Sequence, residues 1–203
     1  MDAYTISEKT NKSAFFAIVP MKAHSERVPD KNIREFNGKP LFYWIFQALD
    51  QIERITKIIL DTDSERIADM VLRHFPDVFV SIRPERLRGD LVATNSLIEY
   101  MLPLFPKQEY FLQTHATNPC LQAGTIRRAI ELFTADPQHD SLFSVTRLQT
   151  RLFDKDFKPI NHDPYKLLRT QDLAPIYEEN SNLYLFSRGS FQNTGARIGR
   201  RPF

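Results

Sequence analysis

Cysteine occurs once, at Cys120. That excludes a disulfide framework and a multi-cysteine zinc site, and predicts a reducing compartment, the cytoplasm. Charge of one sign is not in excess. Lys and Arg number 27 against 25 Asp and Glu, a formal net charge of +2, so no global basic footprint points to nucleic acid. No apolar run approaches the ~20 residues that span a bilayer. The opening "MDAYTISEKTNKSA" has two acidic residues and no apolar core, so no signal peptide is expected. Internal repeats and low-complexity segments are missing too. What remains is a chain of 203 residues, 42% hydrophobic and 12% aromatic. It can bury a sizeable core as one soluble domain.

Short apolar runs alternate with helical patterns. "FFAIVP", "KIIL", "VFVSI", "YFLQTH", "SLFSVT" and "NLYLFS" read as strands. Between them, "KPLFYWIFQALDQI" repeats Leu41, Trp44, Ile45, Ala48, Leu49 and Ile52 at helical spacing, with Gly38 and Pro40 marking its start. "SERIADMVLRHF", "TNSLIEYMLPLF" and "TIRRAIELF" read as further helices. This alternation predicts an α/β fold of three layers, a mostly parallel sheet flanked by helices. Residues 147–178 break the rhythm with three prolines and scattered aromatics. They are expected to form an excursion of short strands or hairpins, used as a lid or a subunit contact.

Ligands of open parallel sheets bind beyond the carboxyl ends of the strands. The loop after the first strand, within "FFAIVPMKAHSERVPDKNI", gathers Lys22, Arg27 and Lys31 with Ser25 and Asn32. It holds no glycine and matches neither GxxxxGK[ST] nor GxGxxG. Close backbone approach to a pyrophosphate is thereby restricted, and side-chain cations must do more of the neutralising. A solvated surface loop, its cations paired by Glu26 and Asp30, is the plainer alternative.

The run P-x-K-x-x-S-x-R-x-P-x-K-N-I followed by N-G-K-P-L resembles the first motif of the acylneuraminate cytidylyltransferases, which activate acidic sugars with CTP. "IILDTDSERIA", "IRPERLRGD", "FLQTHATNPC" and "YEENSNLYLF" are similar, in order, to four further family blocks. The resemblance covers residues 15 to about 200. It implies a nucleotide-diphospho-sugar-transferase-like fold and one cytidylyltransferase-like domain, 1–203, that lacks the family's C-terminal end. It implies attack by a sugar's anomeric hydroxyl on the α-phosphorus of CTP, with pyrophosphate leaving, helped by Mg²⁺. Homodimerisation through 147–178 is implied as well.

By the same resemblance, Lys22, Ser25, Arg27, Lys31 and Asn32 would hold the triphosphate. Arg83, Thr94, Asn95 and Ser96 would meet the cytidine, and Gln113 would face the junction of nucleotide and sugar. Gln113, Arg169, Asn180 and Tyr184 would bind the sugar. Lys22, Arg27, Lys31 and Gln113 would carry catalysis by offsetting oxygen charge. Each has a structural alternative: an ion pair with Glu85 for Arg83, and a helix N-cap for Asn95. Asp61 and Asp63 are tempting metal ligands, but Thr62 and Glu65 form a T-x-x-E capping box, the favoured reading. The family's clearer metal carboxylates follow the last shared block, whereas this sequence ends at "IGRRPF"; either it is a piece or its metal site differs. His24 and His115 are more often structural than catalytic at such positions, and Cys120 is expected to be a small buried hydrophobe.

The acceptor end departs from the pattern. "E-E-N-S", Glu178 to Ser181, stands where sialic acid enzymes have R-P-N-G, and Arg169 is the candidate replacement cation. The acceptor is therefore expected to be an acidic sugar other than N-acetylneuraminate. Two other functions compete: a nucleotidyltransferase using another NTP and sugar, and a nucleotide-binding or oligomerisation module without full activity.

Overall fold

A computed structural model describes residues 14–25 and 28–203 of the chain. Six strands form one sheet in the order β5-β4-β1-β6-β8-β7. They are β1 (Phe15–Met21), β4 (Ile55–Thr62), β5 (Phe79–Ile82), β6 (Tyr110–Thr114), β7 (Ser141–Leu148) and β8 (Ile176–Ser187). β5, β4, β1 and β6 run parallel, while β8 is antiparallel to both β6 and β7. The predicted α/β sandwich is the observed one.

Helices α1 (Leu41–Asp50), α2 (Glu65–His74) and α4 (Ala123–Ala135) cover one face; α3 (Thr94–Met101) and α5 (Arg188–Thr194) cover the other. Strand alternation decides which side chain meets which layer. In β1, Phe15, Ala17, Val19 and Met21 join the first core, and Ile18 joins the second with Ile59, Ile98, Phe111 and Phe186. A strand buried on both faces needs an unbroken apolar run, which is why "FFAIV" has no polar residue.

Local details correct several expectations. Asn37 and Gly38, at φ 52° and 77°, turn a small hairpin of β2 (Glu35–Phe36) and β3 (Lys39–Pro40). Both positive φ values suit a two-residue hairpin turn. Gly38 therefore closes a turn, and Pro40 precedes α1 as its N-cap. The inward face of α1 is Phe42, Ile45, Phe46 and Leu49, whereas Leu41 and Trp44 are only half-buried. Ser64, not Thr62, caps α2 by accepting from Ile67 N at 3.3 Å. Ala93 occupies the N-cap of α3, with Asn95 inside the helix. Cys120 is exposed, not buried.

β7 and β8 form a long hairpin interrupted by a bulge. Phe143 pairs with Tyr184, but Val145 pairs with Glu179, so Asn180 to Leu183 loop out opposite Ser144. Ser181 takes φ 56°. Side chains pin the bulge: Ser144 Oγ donates to Asn180 Oδ1 at 2.7 Å and accepts from Leu183 N at 3.0 Å. Thr114 Oγ1 reaches the Asn182 carbonyl at 2.7 Å, tying it to β6.

After α5 the chain returns to the sheet edge. The Asp140 carboxylate accepts from the amides of Arg200 and Arg201 at 3.0 Å each, and Ser141 Oγ accepts from Gly199 N at 2.8 Å. A Cβ on residue 199 would fall 2.2 Å from Asp140 Oδ1, so only glycine permits this approach. No helix among the described residues is long and apolar enough to cross a membrane.

Candidate active site

The winding reverses at β1: α1 leads outward to β4 on one side, and α3 returns the chain to β6 on the other. Such a switch opens a crevice at the strand ends. A cavity of ≈ 200 Å³ lies there. Lys22, Ser25, Lys31, Asn32, Arg83 and Thr94 line it together, joined by Asp90 and His115.

The loop after β1 is held from several directions. Asn32 sits in a single turn of tight helix, Lys31–Ile33, entered through Asp30 at φ 53°. Its side-chain amide donates to the Lys22 carbonyl at 3.0 Å. Asp63 accepts from Ala23 N at 2.6 Å. Lys22 Nζ is ion-paired with Asp90 rather than with Asp30. Ser25 and Asn32 are buried, unlike residues of a plain solvated loop. Arg27 and Glu26 lie outside the described residues.

Arg83 meets Asp61, not Glu85. Its Nε donates to Asp61 Oδ2 at 2.6 Å, with the two side chains 4% and 0% exposed. Burial pushes the Asp61 carboxyl up from its ordinary value while the neighbouring guanidinium pulls it back down. Burial without a cation would be costly, so the pair is a unit. Arg83 also presents its carbonyl to Arg88 Nε at 3.0 Å.

Gln113 is fully buried at the end of β6, on the α3/α5 face. Its Oε1 accepts from Arg197 Nη1, and its amide nitrogen donates to the Thr114 carbonyl at 2.7 Å. The Arg197 guanidinium lies 3.9 Å over the Tyr184 ring. The Tyr184 hydroxyl donates to Glu179 and lies 3.2 Å from Ser181 Oγ. Burial, then the bond to Glu179, raises the Tyr184 hydroxyl above its usual range. His115 is pushed down to about 4, first by burial, then by Arg197 and Lys31, so it is neutral at pH 7.

The remaining sequence candidates separate. Asn180 is in the β8 bulge, bonded to Ser144 and to Thr146 Oγ1 at 3.2 Å. Arg169 is exposed in the excursion, forked onto Asp172 at 2.7 and 3.1 Å. Ser96 lines a separate groove with Arg86 and Tyr100. Asn95 Oδ1 is buried and has no hydrogen-bond partner among the described residues. His24 is exposed.

Sequence reasoning missed Arg197 and Asp90. Arg197 is 84 residues from Gln113, so no local spacing could join them. The one signal is that two of only six glycines, Gly195 and Gly199, bracket it. Among the described residues no group of three or more His, Cys, Asp or Glu side chains could hold a metal ion. Asp61, Asp63 and Asp90 each serve another partner. These carboxylates do not fit a Mg²⁺ site.

A sequence profile described as "Cytidylyltransferase" matches residues 16–198. The chain is 24% identical over 197 residues to an N-acylneuraminate cytidylyltransferase of Oncorhynchus mykiss, covering 94% of this chain and 45% of that protein. It is 23% identical over 177 residues to a pseudaminic acid cytidylyltransferase of Campylobacter jejuni, covering 82% and 75%. The chain thus spans about half the length of several curated relatives. Its fold matches that of CMP:2-keto-3-deoxy-manno-octonic acid synthetase complexed with CTP, at TM-score 0.66 and 15% identity over 89% of this chain and 77% of the other.

Two outcomes are expected from the site's ionisable groups. Arg83→Met strands a buried carboxylate and should cost about 3–5 kcal/mol in denaturant unfolding, largely recovered when Asp61→Leu is added. A loss below ~1 kcal/mol rejects the pair as a structural unit. For His115 the folded pKa of about 4 lies below the ordinary 6.5. The unfolded chain therefore binds more protons between those values. Stability should be complete above pH 6.5 and fall on the order of 3 kcal/mol as pH drops to 4. His115→Gln should flatten that window; an unchanged pH slope would refute the assignment.

Proposed function

The chain belongs to the cytidylyltransferase family, and on that premise we propose that it transfers CMP from CTP to an acidic sugar. One observation carries this reading: Lys22, Lys31, Ser25 and Asn32 converge on a cavity floored by Arg83 at the switch point of the sheet. The sugar's hydroxyl oxygen forms a bond to the α-phosphorus, the bond to the bridging oxygen breaks, and pyrophosphate carries away the negative charge. The hydroxyl proton passes to solvent. Such a step needs positioning and offset oxygen charge more than covalent help. Lys22 and Lys31 act as point charges beside the phosphates, and Asn32 holds Lys22 by its carbonyl. Neutral His115 adds no further repulsion between Lys31 and Arg197, and can accept or donate one hydrogen bond to the substrate.

The excursion supports a homodimer as the working form. Phe157, Tyr165 and Leu167 are 86%, 97% and 84% exposed, with Ile160 and Phe153 also in solvent. Isolated exposed apolar residues are ordinary, but this many within one segment call for a covering surface. A second copy of the chain supplies one. Exposed Cys120 suits a reducing compartment such as the cytoplasm.

Isothermal titration of CTP, UTP, ATP and GTP, followed by pyrophosphate release with acidic sugars, tests the activity. CTP should bind best, and Lys31→Glu should weaken it about 10- to 100-fold with little change in thermal unfolding. Equal affinity for CTP in parent and variant would sink the phosphate-loop reading. CTP binding without turnover would instead favour a nucleotide-binding module. Light scattering at micromolar concentrations should give twice the chain mass, falling to the monomer when Phe157, Tyr165 and Leu167 are changed to Ser. A monomeric parent protein rejects the dimer.

A further inference from the structure

Arg197 is a cation with no carboxylate in direct contact among the described residues, although Glu179 acts on it through space. It is half-buried and one face is covered by the Tyr184 ring, yet its hydrogen bond among the described residues goes to a neutral amide, Gln113. No ion pair links it to a carboxylate among those residues. The acid that acts on it, Glu179, accepts the Tyr184 hydroxyl's hydrogen bond. A guanidinium has five donors in a planar fork, and Nη1 accounts for only one or two of them. Removing a charge from water on one side and returning no charged partner is unfavourable. Burial accordingly lowers the Arg197 pKa from its ordinary value. The chain nevertheless fixes the residue firmly, between left-handed Gly195 and the Asp140 clamp on Gly199 to Arg201.

Its position states what it faces. Gln113 ends β6, two residues before His115 in the cavity wall, and both Arg197 and Lys31 act on that imidazole. Lys31 and Lys22 belong to the β1 side, and Arg197 to the β6–β8 side beside the bulge. There Ser181 and Glu179 share the Tyr184 hydroxyl, and Asn180 is held by Ser144 and Thr146. Arg169, the cation that the sequence suggested for this role, is exposed and already forked onto Asp172.

Resting on the cytidylyltransferase reading, we propose that Arg197 is the specificity-determining residue for an anionic acceptor, taking the sugar's carboxylate on its free edge. A carboxylate matches the guanidinium fork with two parallel hydrogen bonds. It would also offset charge that Glu179, acting through space, compensates only in part. The same fork could take a phosphate oxygen of the nucleotide, and the two anion sources are separable by experiment.

The test uses the full chain with Arg197→Met, which keeps length and contact with Tyr184, and Arg197→Lys, which keeps charge but loses the fork. Titrations measure CTP, pyrophosphate, and, in the presence of CTP, N-acetylneuraminate, pseudaminic acid and their methyl esters. Arg197→Met should weaken the preferred sugar acid about 10- to 100-fold. CTP and pyrophosphate affinities should stay within about twofold, and the ester should bind parent and variant alike. Arg197→Lys should lie between. A fall in CTP or pyrophosphate affinity with acid–ester discrimination retained would assign the residue to phosphate and overturn the proposal. Unchanged affinities throughout, or a parent that binds CTP but does not prefer acid to ester, would overturn it too. A parent that fails to bind CTP removes the cytidylyltransferase reading itself, and this inference with it.

Discussion

The buried contact between Asp61 and Arg83 anchors the β1 side of the cleft. It joins the carboxyl ends of β4 and β5, already bonded through Arg83 N to the Thr62 carbonyl at 2.8 Å. From there the order spreads outward. The Arg83 carbonyl holds Arg88, the backbone runs through Gly89 to Asp90, and Asp90 holds Lys22. Two residues from Asp61, Asp63 holds the amide of Ala23. Thus the first loop, the strand ends and the segment before α3 share one electrostatic anchor. An exposed pair would contribute little, but a buried one punishes the loss of either member.

The β6–β8 side is built on different physics. A bulge lets β8 change register halfway along, so Tyr184 and Glu179 reach each other across the looped-out Asn180 to Leu183. Bulges re-aim side chains beside functional sites. Here the result is an aromatic platform for a guanidinium, with Gln113 replacing the hydrophobe expected at an inward β6 position. Stacking and a neutral hydrogen bond fix the direction of Arg197 without neutralising it. His115 feels both Arg197 and Lys31, and burial together with those two cations keeps it uncharged at pH 7.

Features encoded locally were legible in the sequence. The buried β1 run, the helical periodicities and the cationic loop without glycine each depend on residues within one or two turns of chain. Lys22, Ser25, Lys31 and Asn32 do meet in one cavity with Arg83 and Thr94. What failed was set by contacts across the fold. Trp44 reads as a core residue by spacing, yet it turns outward because its indole donates to Phe36 O at 3.0 Å over the small hairpin. Thr62 looked like a cap two residues too early, since β4 runs on to that residue and leaves Ser64 to begin α2. Arg197 acquires meaning only when α5 carries the chain back over β6 and β8. No periodicity in "TGARIGRRPF" announces that return.

The Lys22–Asp90 pair gives the cleft an entrance rule. Both side chains are 35% exposed, so water and salt loosen them, but neither is idle. An incoming anion reaches Lys22 by exchange with a carboxylate, not by simple addition. A ligand bringing a single charge trades one partner for an equivalent one and gains little. A polyanion can satisfy Lys22 and reach its neighbours on the loop in the same move, so its advantage grows faster than its charge. The displaced Asp90 is tethered and stays close at hand, ready to reclaim the lysine when the anion leaves.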